Sequence, residues 1–192
     1  MGGEAHHLKV ELLSDILLKE TGISEATCYQ CGKCTAGCPM ALEMDLTPSQ
    51  IMRFLQLGLP ELEDRVLRSI SIWYCLTCET CYARCPQEVD IPVIMDFLRA
   101  ESLSRGMAHP GAKDIIAFHR SFLDSVRHTG KLNELGLIIL YKLRSFHFIK
   151  DLLLAPKMFF KGKLGILPHR IKERKKMKSI FKKTIRKKKK GG

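Results

Sequence analysis

No stretch of the 192 residues stays apolar for long. The longest uninterrupted run, Leu135 to Tyr141, falls far short of the roughly 20 residues that a helix needs to cross a bilayer. The start, Met1-Gly2-Gly3-Glu4-Ala5-His6-His7, lacks a charged segment followed by an apolar one, so no secretory signal is expected. The expected location is the cytoplasm, where cysteines stay reduced. A G-x-S-x-G elbow, a phosphate-cradling G-x-x-x-x-G-K-[ST] loop and a G-x-G-x-x-G turn are all missing, which removes the common signatures of acyl hydrolases, P-loop enzymes and dinucleotide binders. Most of the chain also has no net charge. The formal +12 sits between Arg170 and Lys190, where thirteen Lys or Arg meet one Glu, and the remaining 19 basic and 19 acidic residues cancel. Hydrophobic residues make up 45%, an ordinary share for a globular chain. No cysteine follows position 85.

What is present is concentrated in two short runs that use all eight cysteines. Cys28, Cys31, Cys34 and Cys38 precede Pro39, and Cys75, Cys78, Cys81 and Cys85 precede Pro86. Both read C-x2-C-x2-C-x3-C-P, the spacing of bacterial two-cluster ferredoxins. Three cysteines two residues apart can wrap one cubane cluster in a tight turn. The Cys-Pro that follows turns away and can ligate the neighbouring cluster. The expected ligands of one [4Fe-4S] cluster are therefore Cys28, Cys31, Cys34 and Cys85, and those of a second are Cys75, Cys78, Cys81 and Cys38. Zinc is the competing reading. Its knuckles pair two C-x2-C units into a tetrahedron, and the third cysteine of each run would be surplus. Disulfides fit worse, because eight cysteines in two short runs offer poor bridging geometry.

Around these runs the periodicity is helical. Leu8, Val10, Leu12, Leu13, Ile16 and Leu17 have helical spacing over 8–20, with Gly22 at a stop position. Gly32 and Gly37, inside the first run, are expected to allow turns and a close backbone approach. Thr47 and Gln50 form a capping box with Pro48 at the first helical position, and the helix they open runs to Gly58. A second helix starts near Pro60 and presents Leu62, Val66, Leu67 and Ile70 before Trp73, Tyr74 and Cys75. The pattern then recurs. Ile51-Met52-Arg53-Phe54-Leu55 after the first run matches Ile94-Met95-Asp96-Phe97-Leu98 after the second, which points to an internal duplication with a pseudo-two-fold core. Helices are also expected over 113–128, 132–143 and 148–160, ahead of Gly162, Gly165 and Pro168. The expected organisation is an all-α protein: an N-terminal helix over 1–22, a core over 23–106 carrying both cysteine motifs, a helical extension over 107–168 and a basic tail over 169–192.

The motif C-x-Q-C-G-x-C-x-A-G-C-P from Cys28, the helical linker and C-x-x-C-x-x-C-x-x-x-C-P-x-x-V-D-I from Cys75 resemble the iron–sulfur C-subunit of heterodisulfide reductase. Lys161 to Lys172 resembles the end of that family's domain, and the lysine tail lies outside the likeness. The resemblance implies an α-helical ferredoxin fold, shared with the C-terminal part of succinate dehydrogenase and fumarate reductase iron–sulfur subunits. It implies a wire that carries single electrons through two [4Fe-4S] clusters. These would pass from the flavin- and cluster-bearing A-subunit to the cysteine-rich B-subunit, which reduces the CoM-S-S-CoB heterodisulfide. A hydrogenase or formate dehydrogenase in the larger complex is the implied outer partner. The residues agree with a non-catalytic part: four thiolates per cluster leave no iron open, and the C-x3-C-x2-C spacing that frees one iron is absent.

The smaller signals have plain readings. The seven histidines are scattered, including His6 and His7, and no cysteine vacancy asks for a histidine ligand. Met52 and Met95 fall on helical stripes and are expected in the core. Trp73 and Tyr74 are expected to pack as a wall over a cluster. Lys33 and Arg84 within the motifs, offset by Glu79, read as solvated loop charges. The lysine tail reads first as a solvated, mostly disordered extension, next as an arm for an acidic partner, and only then as a contact for an anionic membrane or nucleic acid. The alternatives to a soluble wire are a membrane-associated, cytochrome-linked or sulfur-metabolising complex using the same relay, and a zinc-structured nucleic-acid-binding module.

Overall fold

A computed structural model describes residues 12–145 and 176–183. Among these residues the chain is helical and has no strand. It divides into two compact units, one ending at Ala112 and the other beginning at Lys113.

The first unit begins with α1 (Leu13–Thr21), which stops at Gly22, where φ is 73° and the glycine N–H returns to Leu18. The expected earlier start near position 8 lies outside the described residues. The first cysteine run follows, containing the single turn α2 (Lys33–Ala36). Next comes α3 (Pro48–Leu57), opened by the Thr47/Gln50 capping box, with Thr47 N–H donating to Gln50 Oε1 at 2.9 Å. It closes at Gly58 with φ 58°. Helix α4 (Pro60–Arg68) ends sooner than its apolar spacing predicts, and Ile70 falls outside it. The break has a polar cause: Asp45 Oδ1 accepts from the hydroxyls of Ser69 and Ser71, both at 2.6 Å. This pulls the chain out of helical register. A short α5 (Ser71–Tyr74) leads into the second cysteine run and its single turn α6 (Thr80–Ala83). The unit's longest helix, α7 (Ile91–Ser104), is capped by Asp90, whose carboxylate accepts from Val93 N–H at 3.1 Å.

The core lies where α1, α4 and α5 pack on α7 and where α3 packs on α1 and α4. Ile51, Met52 and Leu55 of α3 are buried, as are their sequence counterparts Ile94, Met95 and Leu98 of α7. Burying a side chain of this kind contributes about 1.5–3 kcal/mol, so the two recurring stripes form the framework that carries the cysteine runs. The two methionines are core residues, as expected. Glu63 is an exception to the apolar interior. Only 5% exposed, its carboxylate accepts the Leu13 N–H at 3.1 and 3.2 Å and caps α1 from a distant helix.

In the second unit, α8 (Lys113–Thr129) and α9 (Glu134–Ser145) pack as a hairpin. Gly130 turns the chain with φ 87°. Small residues Ala117, Ser121 and Ser125 form the buried face of α8, and Phe118 meets Tyr141 edge-on at 6.1 Å. Residues 176–183 are helical, so the reading of the tail as unstructured chain does not extend over them. The helix expected over 148–160 and the Gly162–Pro168 break lie outside the described residues. No described helix is long and apolar enough to cross a membrane.

Candidate metal centre

The two cysteine runs adopt the same backbone path. In the first, Gln30 and Gly32 have φ of 63° and 77°; in the second, Thr77 and Glu79 have φ of 50° and 60°. Each pair stands two and four residues after the first cysteine of its run. After the left-handed residues the Lys33 and Thr80 N–H groups reach Cys31 and Cys78, and each run makes one helical turn, α2 or α6. Gly32 meets the expectation for a left-handed turn. Gly37 does not: its φ is −98°, which any residue adopts. What is close there is a side chain, since a Cβ on Gly37 would lie 2.8 Å from Arg84 Cδ.

The runs border two cavities. Cys28, Cys31, Cys34 and Cys85 line one, with Gln30, Ser49 and Val89 among their neighbours. Cys38, Cys75, Cys78 and Cys81 line the other, where Met40, Met44, Pro48 and Met95 add an apolar surround. Each cavity thus draws three cysteines from one run and the Cys-Pro cysteine from the other. Ile91, 2% exposed, borders both, so the cavities share a wall. Trp73 is buried in the core, and neither it nor Tyr74 lines either of these two cavities.

The thiols differ by environment in a repeating way. The exposed Cys31 is held below the usual thiol range by the Lys33 backbone N–H. Its counterpart Cys78 is lowered by the Thr80 hydroxyl and N–H. Burial pushes Cys34 up and its counterpart Cys81 up to about 11. Cys75 is also raised by burial, with the Thr77 N–H and Arg99 pulling the other way. Val89 N–H donates to Cys85 Sγ at 3.4 Å. Each run thus supplies thiolate-stabilising donors at its rim and desolvated thiols inside, which suits a buried anionic group held by sulfur.

A zinc knuckle draws its ligands onto one point about 2.3 Å from each sulfur. Among the described residues, no three His, Cys, Asp or Glu close on a point of that size. The four thiols of each set border one common cavity instead. The donor set, four soft thiolates with N–H donors and an apolar surround, fits an iron–sulfur cluster.

Two further residues hold the runs in place. Gln56 of α3 donates through Nε2 to the carbonyls of Glu25 at 2.9 Å and Cys28 at 2.5 Å. Arg99 of α7 donates through Nε to Ile72 O at 2.5 Å and through Nη2 to Cys75 O. Sequence reading passes over both, although each directly follows its I-M-x-F-L stripe. That position is the available signal.

The described residues are helical, and residues 25–89, which carry both cysteine runs, match the 4Fe-4S dicluster domain family. Curated relatives of the chain include C-subunits named for heterodisulfide reductases. It is 44% identical over 81 residues to the iron–sulfur C-subunit of the CoB–CoM heterodisulfide reductase of Methanopyrus kandleri, covering 42% of this chain and 41% of that one. It is 44% identical over 79 residues to the second such C-subunit of Methanocaldococcus jannaschii, covering 41% and 40%. It is 33% identical over 97 residues to the C-subunit of the H(2):CoB-CoM heterodisulfide,ferredoxin reductase of Methanothermobacter marburgensis, covering 50% and 51%. The matches span about two fifths to one half of these relatives' lengths.

Proposed function

We propose that this chain is an electron-transfer subunit of a heterodisulfide-reductase-type complex, with two [4Fe-4S] clusters in a duplicated, pseudo-two-fold α-helical ferredoxin core. Cys28, Cys31, Cys34 and Cys85 would hold one cluster, and Cys75, Cys78, Cys81 and Cys38 the other. The observation that carries this reading is the crosswise composition of the two cavities, three cysteines from one run and one from the other, with Ile91 in the shared wall.

When bound, such a cluster takes up and gives back one electron at a time with no bond to substrate made or broken. The chain's own residues account for the rest. Four thiolates per cluster leave no iron for substrate. Backbone N–H groups of Lys33 and Thr80 offset thiolate charge, and Met40, Met44 and Met95 keep water from one cluster face. The partners would be the flavin- and cluster-bearing A-subunit and the cysteine-rich B-subunit, acting on CoM-S-S-CoB in the cytoplasm. A relative in Methanococcus maripaludis belongs by name to an H(2)/formate:CoB-CoM heterodisulfide,ferredoxin reductase, which supports a hydrogenase or formate dehydrogenase as the outer partner.

Single-cysteine variants test the assignment. Cys85→Ala and Cys28→Ala should perturb the same electron paramagnetic resonance signal, while Cys38→Ala should pair with Cys75→Ala. Each should cut iron toward half of about eight per chain. Pairing of Cys85→Ala with Cys75→Ala would overturn the crosswise ligation.

A further inference from the structure

Gln56 and Arg99 occupy equivalent places in the two halves. Ile51-Met52-Arg53-Phe54-Leu55-Gln56 aligns with Ile94-Met95-Asp96-Phe97-Leu98-Arg99. Gln56 donates to the carbonyl of the first cysteine in its run and to the carbonyl three residues earlier. Arg99 donates to the same two positions in the other run, Cys75 and Ile72. The mechanical task is identical in both halves. At this position the difference is one full positive charge, present behind Cys75 and missing behind Cys28; three residues earlier the exposed Arg53 is matched by the exposed Asp96.

We propose that Arg99 is a potential-setting residue, and that its guanidinium makes the cluster of Cys75, Cys78, Cys81 and Cys38 the higher-potential member of the pair, so that an electron entering the chain comes to rest there. The inference builds on the two-cluster reading above. Gaining one electron adds one negative charge to whatever those thiolates hold, and a fixed cation nearby favours that charge. Of the other charged groups in and around the two runs, Lys33, Asp45, Arg53, Glu79, Arg84 and Glu88 are exposed, where water and salt screen them. The half-buried Asp90 adjoins Ile91 in the wall that both cavities share, so it does not separate them. Arg99 is 15% exposed and is fixed by its two carbonyl bonds. Its partner Asp96, at 2.8 Å, is 64% exposed, so the pairing offsets the guanidinium only in part. This difference in fixed, largely buried charge gives the two sites a direction.

The test is a redox titration followed by electron paramagnetic resonance, on full chain purified anaerobically with its clusters. Arg99→Gln copies the arrangement around Gln56. It should lower the reduced-to-oxidised ratio of the higher-potential cluster about tenfold at fixed potential, a shift of about 59 mV for one electron, and leave the other wave in place. Arg99→Lys, which keeps the charge, should shift that wave by less. Unshifted waves at full iron content, or movement of the lower wave alone, would overturn the proposal. If Arg99→Gln loses iron, Gln56→Arg decides. It puts the same cation behind Cys28, within reach of the same two carbonyls, and should raise the lower wave, and an unmoved wave would refute the inference. Wild-type chain with no acid-labile sulfide would instead refute the two-cluster reading itself.

Discussion

Helix α1 has no side-chain cap of its own: Leu12 precedes it, and no local side chain accepts from its first turn. The Glu63 carboxylate does so from α4, fifty residues away, with both oxygens within 3.2 Å of Leu13 N. Leu13 and Leu17, both fully buried, depend on that placement. Replacing Glu63 with Gln keeps one acceptor and loses the charge at a helix N-terminus, at a cost of about 1 kcal/mol. Glu63→Ala leaves a buried N–H without its charged acceptor, at a cost of about 2–3 kcal/mol. For a chain of this length that lowers the unfolding midpoint by about 5–10 °C. Glu61, exposed in the first turn of the same helix, is the control, and Glu61→Ala should cost less than about 1 kcal/mol. Thermal unfolding of the three variants beside wild type, followed by far-ultraviolet circular dichroism, measures the order. Equal midpoints for Glu63→Ala and Glu61→Ala would refute the capping argument.

Asp45 predicts an acid limb in the stability profile. Burial pushes its carboxyl up, but the Ser69 and Ser71 hydroxyls and the Ser71 N–H together hold it below its ordinary value of 3.8. Its contribution is therefore complete above that value and is lost as pH falls through the lower folded value. Asp45→Asn should cost about 1 kcal/mol near neutrality and flatten the midpoint's pH dependence below about pH 4; an unchanged profile would contradict this. Gly37→Ala meets only the flexible Arg84 side chain and no backbone strain, so it should change stability by less than about 0.5 kcal/mol and keep full iron content. Loss of iron in that variant would mean that the glycine itself is needed.

Much of this architecture is local and legible in the sequence. The glycine stops at Gly22, Gly58 and Gly130, the Thr47/Gln50 box and the I-M-x-F-L stripes each depend on residues a few positions apart, and each is found where the spacing puts it. What escapes is long-range and polar. Glu63 on α4, Asp45 in a loop and Arg99 on α7 look like solvated side chains in sequence, because their partners lie 24 to 50 residues away. The early end of α4 follows from the same cause, since its apolar spacing continues and the bonds from Ser69 and Ser71 to Asp45 interrupt it. Gly37 shows the opposite error, for a glycine in a motif is not always using its conformational freedom. The crosswise grouping of cysteines follows from the Cys-Pro turns, but the balancing pair Gln56 and Arg99 becomes visible only when the two halves are compared in space.

The most direct measurement is an iron and acid-labile sulfide count on the chain purified anaerobically from its native source, together with the identity of every subunit that accompanies it. The account predicts a brown protein with about eight iron and eight sulfide per chain, whose visible absorption bleaches on reduction, alongside a flavoprotein and a cysteine-rich protein. A colourless, zinc-loaded chain without sulfide would contradict it.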